Sequence, residues 1–417
     1  MGDVLERLPL GAVSTITTGQ SPDSATVFEG EGGLPFLQGC AEFGPKYPNT
    51  PFRCSPPLRV AKAGSILISV RAPVGTSNIA DQDYCIGRGL AAIAAKSRAA
   101  DTAFVYYAIS DNLQYLHQRS QGSTFLAIGS KDLRSLPIVV PSLSIQQRIA
   151  EILLSVDSAI EYTELQIAKL EKIKSGMMHD LFTRGVLPDG RLRPTRAEAQ
   201  DLYKHSSLGW IPLSWDVGSP KDCGSIQLGR QRDPTQMSGR WMRPYLRVAN
   251  VLDGFIDYSD VLAMNFTPLE RETFSLKPGD ILLNEGQSLE LVGRCAKFDG
   301  PVDVYCFQNT LIRFRHSEAQ SASFYRHLFK WYLDCGQFMR IAKQTTSVAH
   351  LGADRFARME SHVVPFEEQE RIAQRLDGLQ DTLDREALLH EKLGRLKLGL
   401  MHDLLTGRVR VPEEAAA

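Results

Sequence analysis

Two histidine-aspartate pairs have the residue types that acid-base chemistry uses. His179-Asp180 and His402-Asp403 stand in the same context, Met-His-Asp-Leu, 223 residues apart. A histidine beside a carboxylate can act as a general base, but catalysis of this kind also needs a nucleophile and an orienting third group. Neither accompanies these pairs, and both pairs fall near the ends of long predicted helices, where a histidine interacts favourably with the last carbonyls. We interpret them as helix-capping or partner-contact residues rather than catalytic ones.

The motifs that bind nucleotides or catalytic metals are absent from the sequence. It contains no G-x-x-x-x-G-K-[S/T] phosphate loop, no G-x-G-x-x-G after a strand and no H-E-x-x-H. The seven cysteines include no C-x-x-C pair, which disfavours a zinc site or a disulfide framework and favours a reducing cytoplasm. The chain is therefore expected to bind rather than to react, with no metal and no cofactor of its own.

Polar side chains suited to DNA bases cluster in the predicted turns of two segments. Arginine reads guanine with two hydrogen bonds, asparagine and glutamine read adenine, and all of them can reach phosphates. The predicted DNA contacts of the first segment are Gln20, Gln38, Arg71, Thr76, Asn78, Arg88, Ser123 and Thr124. Those of the second segment are Arg230, Arg232, Arg240, Arg243, Arg247, Asn250, Gln287 and Thr346. For each residue, a solvated surface side chain or a hydrogen bond that braces a loop is the alternative interpretation.

The stretch from Gly229 to Arg247 is the strongest local DNA signature. It carries five arginines against one acid, Asp233, and includes Trp241. Such a basic segment with an aromatic side chain is typical of a surface that meets phosphates and bases.

The elements that must position these residues occur twice in the chain. Residues 146–186 recur at 369–409 with a constant offset of 223, and sixteen positions are identical. Towards the start of each half the offset shrinks, from 221 at Tyr84-Cys85 to 203 at Leu8-Pro9-Leu10. The chain therefore contains two copies of one device, each with a variable unit and a constant frame.

The constant frame has the heptad spacing of a coiled coil. Apolar residues alternate spacings of three and four after Pro141 and again after Pro365, which predicts two long helices that pair antiparallel. The predicted seam residues are Ile149, Leu153, Val156, Ile160, Ile167, Leu170, Ile372, Leu376, Leu379, Leu383 and Leu393. The polar seam positions Thr163, Glu386 and His390 are expected to set the register. The alternative is that each helix buries its seam against its own globular unit.

Each variable unit begins with short apolar runs between Gly/Pro turns and closes with one helical stretch, residues 102–118 or 322–341. This order predicts an α+β fold with mixed sheets. The predicted boundaries are 1–140 for the first unit, 141–185 for the first long helix, 186–210 for a linker, 211–364 for the second unit, 365–411 for the second long helix and 412–417 for a disordered tail.

Composition places the chain among folded proteins without a membrane span. Its hydrophobic share is 43% and its net charge −1, and no apolar run approaches the roughly 20 residues of a membrane helix. The acidic opening after Met1 predicts no signal peptide. Residues 365–417 carry 8 basic and 11 acidic side chains, a balance that would repel DNA and suit a protein partner.

Several segments together resemble one known family, the DNA-specificity subunits of type I restriction-modification systems. They are residues 66–75 and 83–89 of the first unit, the run Leu208-Gly209-Trp210-Ile211-Pro212, the helix start at 365–372 and the helix end at 174–182. The resemblance covers nearly the whole chain.

The resemblance implies two tandem target recognition domains, each reading half of a split, asymmetric site in double-stranded DNA, with the paired helices as spacer in a pseudo-two-fold internal repeat. It further implies that two methyltransferase subunits dock on those helices and supply S-adenosylmethionine, while restriction and translocase subunits supply ATP hydrolysis with Mg. This chain would be a non-catalytic, cytoplasmic part of a phage-defence complex, with no membrane association.

A function of a different class remains open from the residues alone. A duplicated coiled-coil scaffold that holds partners and never touches DNA would fit the neutral net charge. The arginine-rich second unit and the divergence of the two sets of loops disfavour it, and salt-sensitive retention of DNA would separate the two functions.

Overall fold

The computed structural model describes residues 6–120, 127–344 and 347–412. The chain divides into two compact units, one of residues 1–165 with 387–417 and one of residues 166–386. Each unit therefore combines one variable segment with part of both long helices. The last residues of the predicted tail, 413–417, lie outside the described residues.

Unit 1 holds eleven strands among its described residues: β1 Arg7–Pro9, β2 Ser14–Thr18, β3 Val27–Glu29, β4 Leu34–Leu37, β5 Phe52–Cys54, β6 Val60–Ala61, β7 Ile66–Ser69, β8 Ser77–Ile79, β9 Tyr84–Ile86, β10 Leu90–Ala95 and β11 Pro137–Val139. Its helices are α1 Leu10–Val13, α2 Thr102–Asp111, α3 Leu113–Arg119 and α4 Ser130–Arg134, followed by the 41-residue helix α5 Leu143–Thr183, which continues into unit 2.

Unit 2 holds the strands β12 Tyr203–Ser206, β13 Gly209–Pro212, β14 Asp216–Gly218, β15 Gly224–Leu228, β16 Met242–Leu246, β17 Leu262–Asn265, β18 Ile281–Asn284, β19 Gly286–Gln287, β20 Cys295–Lys297, β21 Cys306–Phe307, β22 Leu311–His316, β23 Lys343–Gln344, β24 Ala349–His350 and β25 Ser361–Val363. Its helices are α6 Pro220–Cys223, α7 Pro268–Phe274, α8 Ala322–Asp334, α9 Gln337–Ile341 and α10 Ala353–Arg358, followed by the 40-residue helix α11 Phe366–Leu405, which continues into unit 1.

The two units share one four-stranded sheet order, while their second sheets have five strands in unit 1 and three in unit 2. Unit 1 has an antiparallel sheet in the order β2-β10-β7-β8, and unit 2 has one in the order β15-β22-β18-β20. A second sheet in each unit contains a parallel pair, β4 with β9 and β16 with β21. The fold is therefore mixed α/β, with parallel and antiparallel strands in one sheet, as the order of runs predicted.

The closing helix of each variable segment is broken once. Residues 102–118 form α2 and α3, because the Asn112 side chain turns back to the Ala108 carbonyl at 2.9 Å and residue 112 leaves helical geometry. Residues 322–341 form α8 and α9, because Gly336 takes the left-handed conformation at φ 74°. The sequence prediction of one continuous helix in each unit is corrected by these two breaks.

Each unit pairs its parts of the long helices antiparallel. In unit 1 the Nζ of Lys397 lies 2.6 Å from Oδ1 of Asp157, and the Thr163 hydroxyl lies 3.3 Å from Nδ1 of His390. Residue numbers therefore rise on α5 as they fall on α11, which is the antiparallel arrangement. In unit 2 the counterpart of Lys397, Lys174, donates to Oε1 of Gln380, the counterpart of Asp157.

The seam positions of both helices are buried or half-buried within their units. They are Ile149, Leu153, Val156, Ile160, Thr163, Ile167, Leu170, Ile372, Leu376, Leu379, Leu383, Glu386, His390 and Leu393. The unit 1 core joins the start of α5 to the end of α11 through Leu153 and Leu404, and the unit 2 core joins Phe182 to Ile372. The helices therefore bury their seams both against each other and against the globular segments.

A glutamine anchors the start of each long helix at equivalent positions. Gln146 accepts a hydrogen bond from the Asp101 N–H at 3.0 Å, and Gln369 accepts one from the Ser321 N–H at 2.9 Å. Each amide also donates to a backbone carbonyl just upstream of its helix. Because both glutamines are buried, these bonds fix where each long helix leaves its sheet domain.

The segment predicted as a linker, 186–210, is packed within unit 2. Arg193 forms an ion pair with Glu368 at 3.2 Å, and the two side chains are only 7% and 4% exposed. Oε1 of Glu368 also accepts from the Val186 N–H at 2.8 Å. Strands β12 and β13 form a hairpin in this segment, so it holds more fixed structure than its Pro/Gly-rich sequence predicts.

Candidate nucleic-acid interface

Three turns of unit 1 meet and bring together Gln20, Gln38 and Arg88, all exposed. The Gln20 N–H donates to the last carbonyl of β9 at 3.0 Å, and the Gly87 N–H donates to the last carbonyl of β4 at 2.8 Å. Gly19 lies so close to this turn that a Cβ there would be 2.1 Å from the Gly87 carbonyl oxygen. The backbone therefore holds these three side chains as one group.

Arg71 and Thr76 lie in the turns next to this group, and both are exposed. The Val70 N–H donates to the Gly89 carbonyl at 2.9 Å, which joins the segment before Arg71 to the turn of Arg88. The Thr76 hydroxyl donates to the Pro73 carbonyl at 3.2 Å, so Thr76 braces its own turn while remaining accessible.

The same three turns occur in unit 2. The Arg230 N–H donates to the last carbonyl of β21 at 3.1 Å, and the Gln308 N–H donates to the last carbonyl of β16 at 2.9 Å. A Cβ at Gly229 would lie 2.1 Å from the Gln308 carbonyl oxygen, as for Gly19 and Gly87. Each unit thus contains the same backbone arrangement of turns, although the side chains on those turns differ between the units.

Sequence reasoning missed Asn309, which follows Gln308 in this arrangement and is half-buried. The signal was present in the repeat, because Arg88 plus the local offset of 221 gives position 309. An asparagine there has the chemistry to read adenine.

Two predicted DNA contacts have structural roles instead. Asn78 is 4% exposed and donates to the Gly44 carbonyl at 2.7 Å. Asn250 is 2% exposed and donates to the carbonyls of Asp257 and Asp260, each at 3.0 Å. The prediction that these asparagines contact bases is therefore corrected: they hold loops together, because their polar groups are buried and already paired.

Arg230 is corrected in the same way. Its Nε donates to Oε1 of Glu270 at 2.7 Å, its Nη1 donates to the Asn265 carbonyl at 2.8 Å, and the guanidinium lies 5.1 Å from the Phe266 ring centroid. The side chain is only 13% exposed. Arg230 therefore fixes the base of the arginine-rich stretch, and little of its side chain faces solvent.

The remaining predicted contacts of unit 2 differ in exposure. Arg232 and Arg240 are exposed, while Arg243, Arg247 and Gln287 are half-buried. Arg247 pairs with Asp260 at the protein surface, so a phosphate would have to compete with that carboxylate.

Arg240 lies beside the exposed indole of Trp241, with its guanidinium 5.9 Å from the ring centroid. No carboxylate among the described residues pairs with Arg232 or Arg240. These two arginines are thus the most accessible cations of the arginine-rich stretch. Three further predicted contacts, Ser123, Thr124 and Thr346, lie outside the described residues.

The histidine-aspartate pairs sit in the last turns of α5 and α11. The hydroxyls of Thr183 and Thr406 donate to the carbonyls of His179 and His402, as expected for residues one helical turn apart. Asp180 pairs with Arg184 at 3.2 Å. Within the described part of the chain no group of three or more His, Cys, Asp or Glu side chains could hold a metal ion, and no helix is long and apolar enough to cross a membrane.

A polar cluster around the buried His327 joins α8 to α11 in unit 2. His327 lies 2.7 Å from Oδ1 of Asp377, and the Ser323 hydroxyl also bonds to this carboxylate. Burial lowers the pKa of His327 to about 4, so the imidazole is neutral at pH 7 and donates to Asp377 as a neutral group. Although burial opposes it, hydrogen bonding from His327 and Ser323 lowers the pKa of Asp377 to about 2. The cluster ties the long helix to its globular segment.

The chain is similar to proteins of one family. A family model described as "Type I restriction modification DNA specificity domain" matches residues 57–172. The putative type I restriction enzyme MjaX specificity subunit of Methanocaldococcus jannaschii is 43% identical over 168 residues, which are 40% of each chain. The MjaVIII specificity subunit of the same organism is 25% identical over 328 residues, 76% of this chain and 72% of the relative. The matched region thus spans less than half of the first relative's length.

The fold is similar to that of solved structures over the whole chain. The crystal structure of a type I restriction-modification system S subunit from M. genitalium gives a TM-score of 0.60 at 15% identity, covering 100% of this chain and 98% of that one. A chain from a structure concerned with complex assembly and conformational transition of a type I R-M system gives a TM-score of 0.56 at 14% identity, covering 97% and 98%.

Proposed function

We propose that the chain belongs to the family of type I restriction-modification DNA-specificity proteins to which it is similar, and that it is the non-catalytic subunit that reads a bipartite, asymmetric site in double-stranded DNA. Unit 1 reads one half-site and unit 2 reads the other. The observation that carries this proposal is the repeated turn arrangement, in which Gly19 against Gly87 and Gly229 against Gln308 present divergent polar side chains on one backbone frame. A conserved frame with variable side chains fits two readers of different sequences.

The proposed contacts are the accessible members of each group. In unit 1 they are Gln20, Gln38, Arg71, Thr76 and Arg88, and in unit 2 they are Arg232, Arg240, Arg243, Arg247, Gln287 and Asn309. The arginines suit guanine or phosphate and the amides suit adenine. Ser123, Thr124 and Thr346 lie outside the described residues and remain predicted DNA contacts.

We further propose that two methyltransferase subunits dock on the long helices and that restriction and translocase subunits join them. Support comes from apolar side chains that unit 1 leaves exposed on α5 and α11, namely Leu154, Tyr162, Leu165, Leu388, Leu389, Leu396 and Leu398. Exposed apolar residues at this density are typical of a protein interface. S-adenosylmethionine, ATP and Mg would be bound by the partners, and the complex would work in the cytoplasm, where its DNA lies.

The paired helices would act as the spacer between the two readers. At 1.5 Å per residue, helices of 41 and 40 residues are each roughly 60 Å long. Two readers on one face of a duplex must lie about one helical turn, roughly 34 to 36 Å, apart, so helices of this length are sufficient for the task.

DNA retention at several salt concentrations tests the proposal against the scaffold function. The chain in complex with its methyltransferase is expected to retain duplex DNA, with an affinity that falls steeply between about 50 and 200 mM salt because phosphate contacts release counterions. The variant Arg232→Ala/Arg240→Ala should show a shallower salt dependence. Assembly of the complex without any DNA retention would favour the scaffold.

A further inference from the structure

The arginine-rich loop of unit 2 links β15 to β16 and is almost entirely exposed. Gln236 is half-buried, and residues 231–233, 235 and 237–241 are exposed. A loop of this kind loses conformational entropy when it contacts DNA in one geometry, unless the protein holds that geometry in advance. Contacts within the protein must therefore fix the geometry of this loop before it binds DNA.

A single side chain, that of Asn265 at the end of β17, contacts the loop at two points. Its Oδ1 accepts from the Trp241 N–H at 2.9 Å, and its Nδ2 donates to Oε1 of Gln236 at 3.1 Å. Asn265 is only 9% exposed, so water competes little for these bonds. The amide therefore ties the middle of the loop to its end.

Neighbouring bonds complete the brace. The Phe266 N–H donates to the Trp241 carbonyl at 2.9 Å, so residue 241 is held through both of its backbone groups. The Asn265 carbonyl accepts from Arg230, which fixes the start of the loop. Gly239, at φ 148°, passes so close to Asn265 that a Cβ there would lie 2.6 Å from its Oδ1.

The brace divides the loop into two short exposed lobes. Residues 231–235 carry Arg232, and Asp233 caps their turn by accepting from the Thr235 N–H at 2.9 Å. Residues 237–240 carry Met237 and Arg240. Both cations thus project from lobes of four or five residues anchored on each side, rather than from one long mobile loop.

We propose that Asn265 is a positioning residue for sequence reading: it fixes the two lobes of the arginine-rich loop and thereby sets base selection in the half-site of unit 2. This inference rests on the proposed function. Asn265 itself touches no DNA, because its amide is buried and both of its polar atoms are paired within the protein.

The test measures base preference rather than affinity alone. The chain in complex with its methyltransferase selects binding sites from duplexes randomised in both half-sites. For Asn265→Ala, discrimination is expected to fall on the order of tenfold at one or two positions of the unit 2 half-site, comparable to the loss of one bidentate base contact. The unit 1 half-site should be unchanged and serves as internal control.

A double-mutant cycle separates positioning from general destabilisation. If Asn265 acts through the loop, Asn265→Ala and Arg240→Ala will be non-additive, because each removes the same contact. The control Tyr332→Phe removes buried hydrogen bonds elsewhere in unit 2 and should leave base preference intact. Gly239→Ala disturbs the same brace from the loop side, and keeps the test available should Asn265→Ala fail to fold.

Unchanged preference in folded Asn265→Ala or Gly239→Ala, or strictly additive effects with Arg240→Ala, would overturn the positioning role. Absence of any split motif from the wild-type complex would instead overturn the proposed function itself. The two failures are therefore distinguishable in one experiment.

Discussion

At the scale of single residues, residue type alone did not separate the exposed candidates for DNA contact from side chains that brace loops. Asn78, Asn250 and Arg230 have the chemistry of base contacts, yet each is buried and paired with protein groups. The donors that suit a base edge also suit a carbonyl or carboxylate. Exposure decides between these roles, and exposure depends on tertiary packing that a single sequence does not state.

Asn78 and Arg88 offer a direct comparison in unit 1. Arg88→Ala is expected to relax base preference in the unit 1 half-site by about 1 to 3 kcal/mol without lowering the stability of the fold. Asn78→Ala should lower the free energy of unfolding by about 1 to 3 kcal/mol, because the Gly44 carbonyl loses its partner. Urea unfolding and site selection on both variants measure the two effects. A reversed pattern would contradict the assigned roles.

The buried histidines of unit 2 predict a pH dependence. Burial lowers the pKa of His327 and of His362 to about 4, below the unfolded value of about 6.5. The unfolded chain therefore binds more protons between these values, so stability is lost as pH falls from about 6.5 towards 4. At pH 5.5 each histidine is expected to lower the free energy of unfolding by about 1 kcal/mol.

Measuring the denaturant midpoint of unfolding at pH 7.5 and at pH 5.5 checks whether stability falls with pH as expected. His327→Gln retains a donor for Asp377 but cannot titrate, so its midpoint should fall less than that of the wild type over this range. Equal falls in the two proteins would show that His327 does not titrate as its burial requires.

At the scale of elements, periodicity predicted the long helices well and the short breaks poorly. A heptad pattern over several turns carries redundant information, so the helices after Pro141 and Pro365 were visible in sequence. The breaks near Asn112 and Gly336 depend on one residue each, and a single asparagine or glycine is tolerated inside many helices. The packing of residues 186–210 depends on the distant Glu368, which local composition does not reveal.

Adjacent leucines on α5 test which helix face holds unit 1 together. Leu153 is fully buried and Leu154 is 47% exposed. Leu153→Ala is expected to lower the free energy of unfolding by about 2 to 5 kcal/mol, and Leu154→Ala by no more than about 0.5 kcal/mol. Denaturant unfolding of the full chain measures both. Equal decreases in the free energy of unfolding for the two variants would contradict the assignment of Leu153 to the buried face of α5 and Leu154 to the exposed face.

At the scale of the whole molecule, the proposed function rests on the duplication of the chain. Each unit takes its sheets from one half of the chain and its helical frame from both halves. A change in the turns of one unit is therefore expected to alter the bases of one half-site. A change in the length of the long helices is expected to alter the distance between the half-sites. The repeat predicts this division, whereas the bases that each unit would read depend on loop geometry and on DNA deformation.

Inserting one heptad in each long helix tests the spacer role. Seven residues after Leu165 and seven after Glu386 should lengthen the frame by about 10 Å and widen the gap by about three base pairs. Both half-sites should keep their bases. A matched control replaces the same heptads without adding residues and should leave the gap unchanged. Altered half-site bases with an unaltered gap would contradict the spacer.

The most direct test of the central claim is a base-resolution map of adenine methylation in a methylation-free host that expresses this chain with its methyltransferase. We predict one split, asymmetric motif that disappears when the chain is omitted. A purified complex that assembles normally yet leaves no such motif on the DNA would contradict the assignment of a DNA-reading specificity subunit.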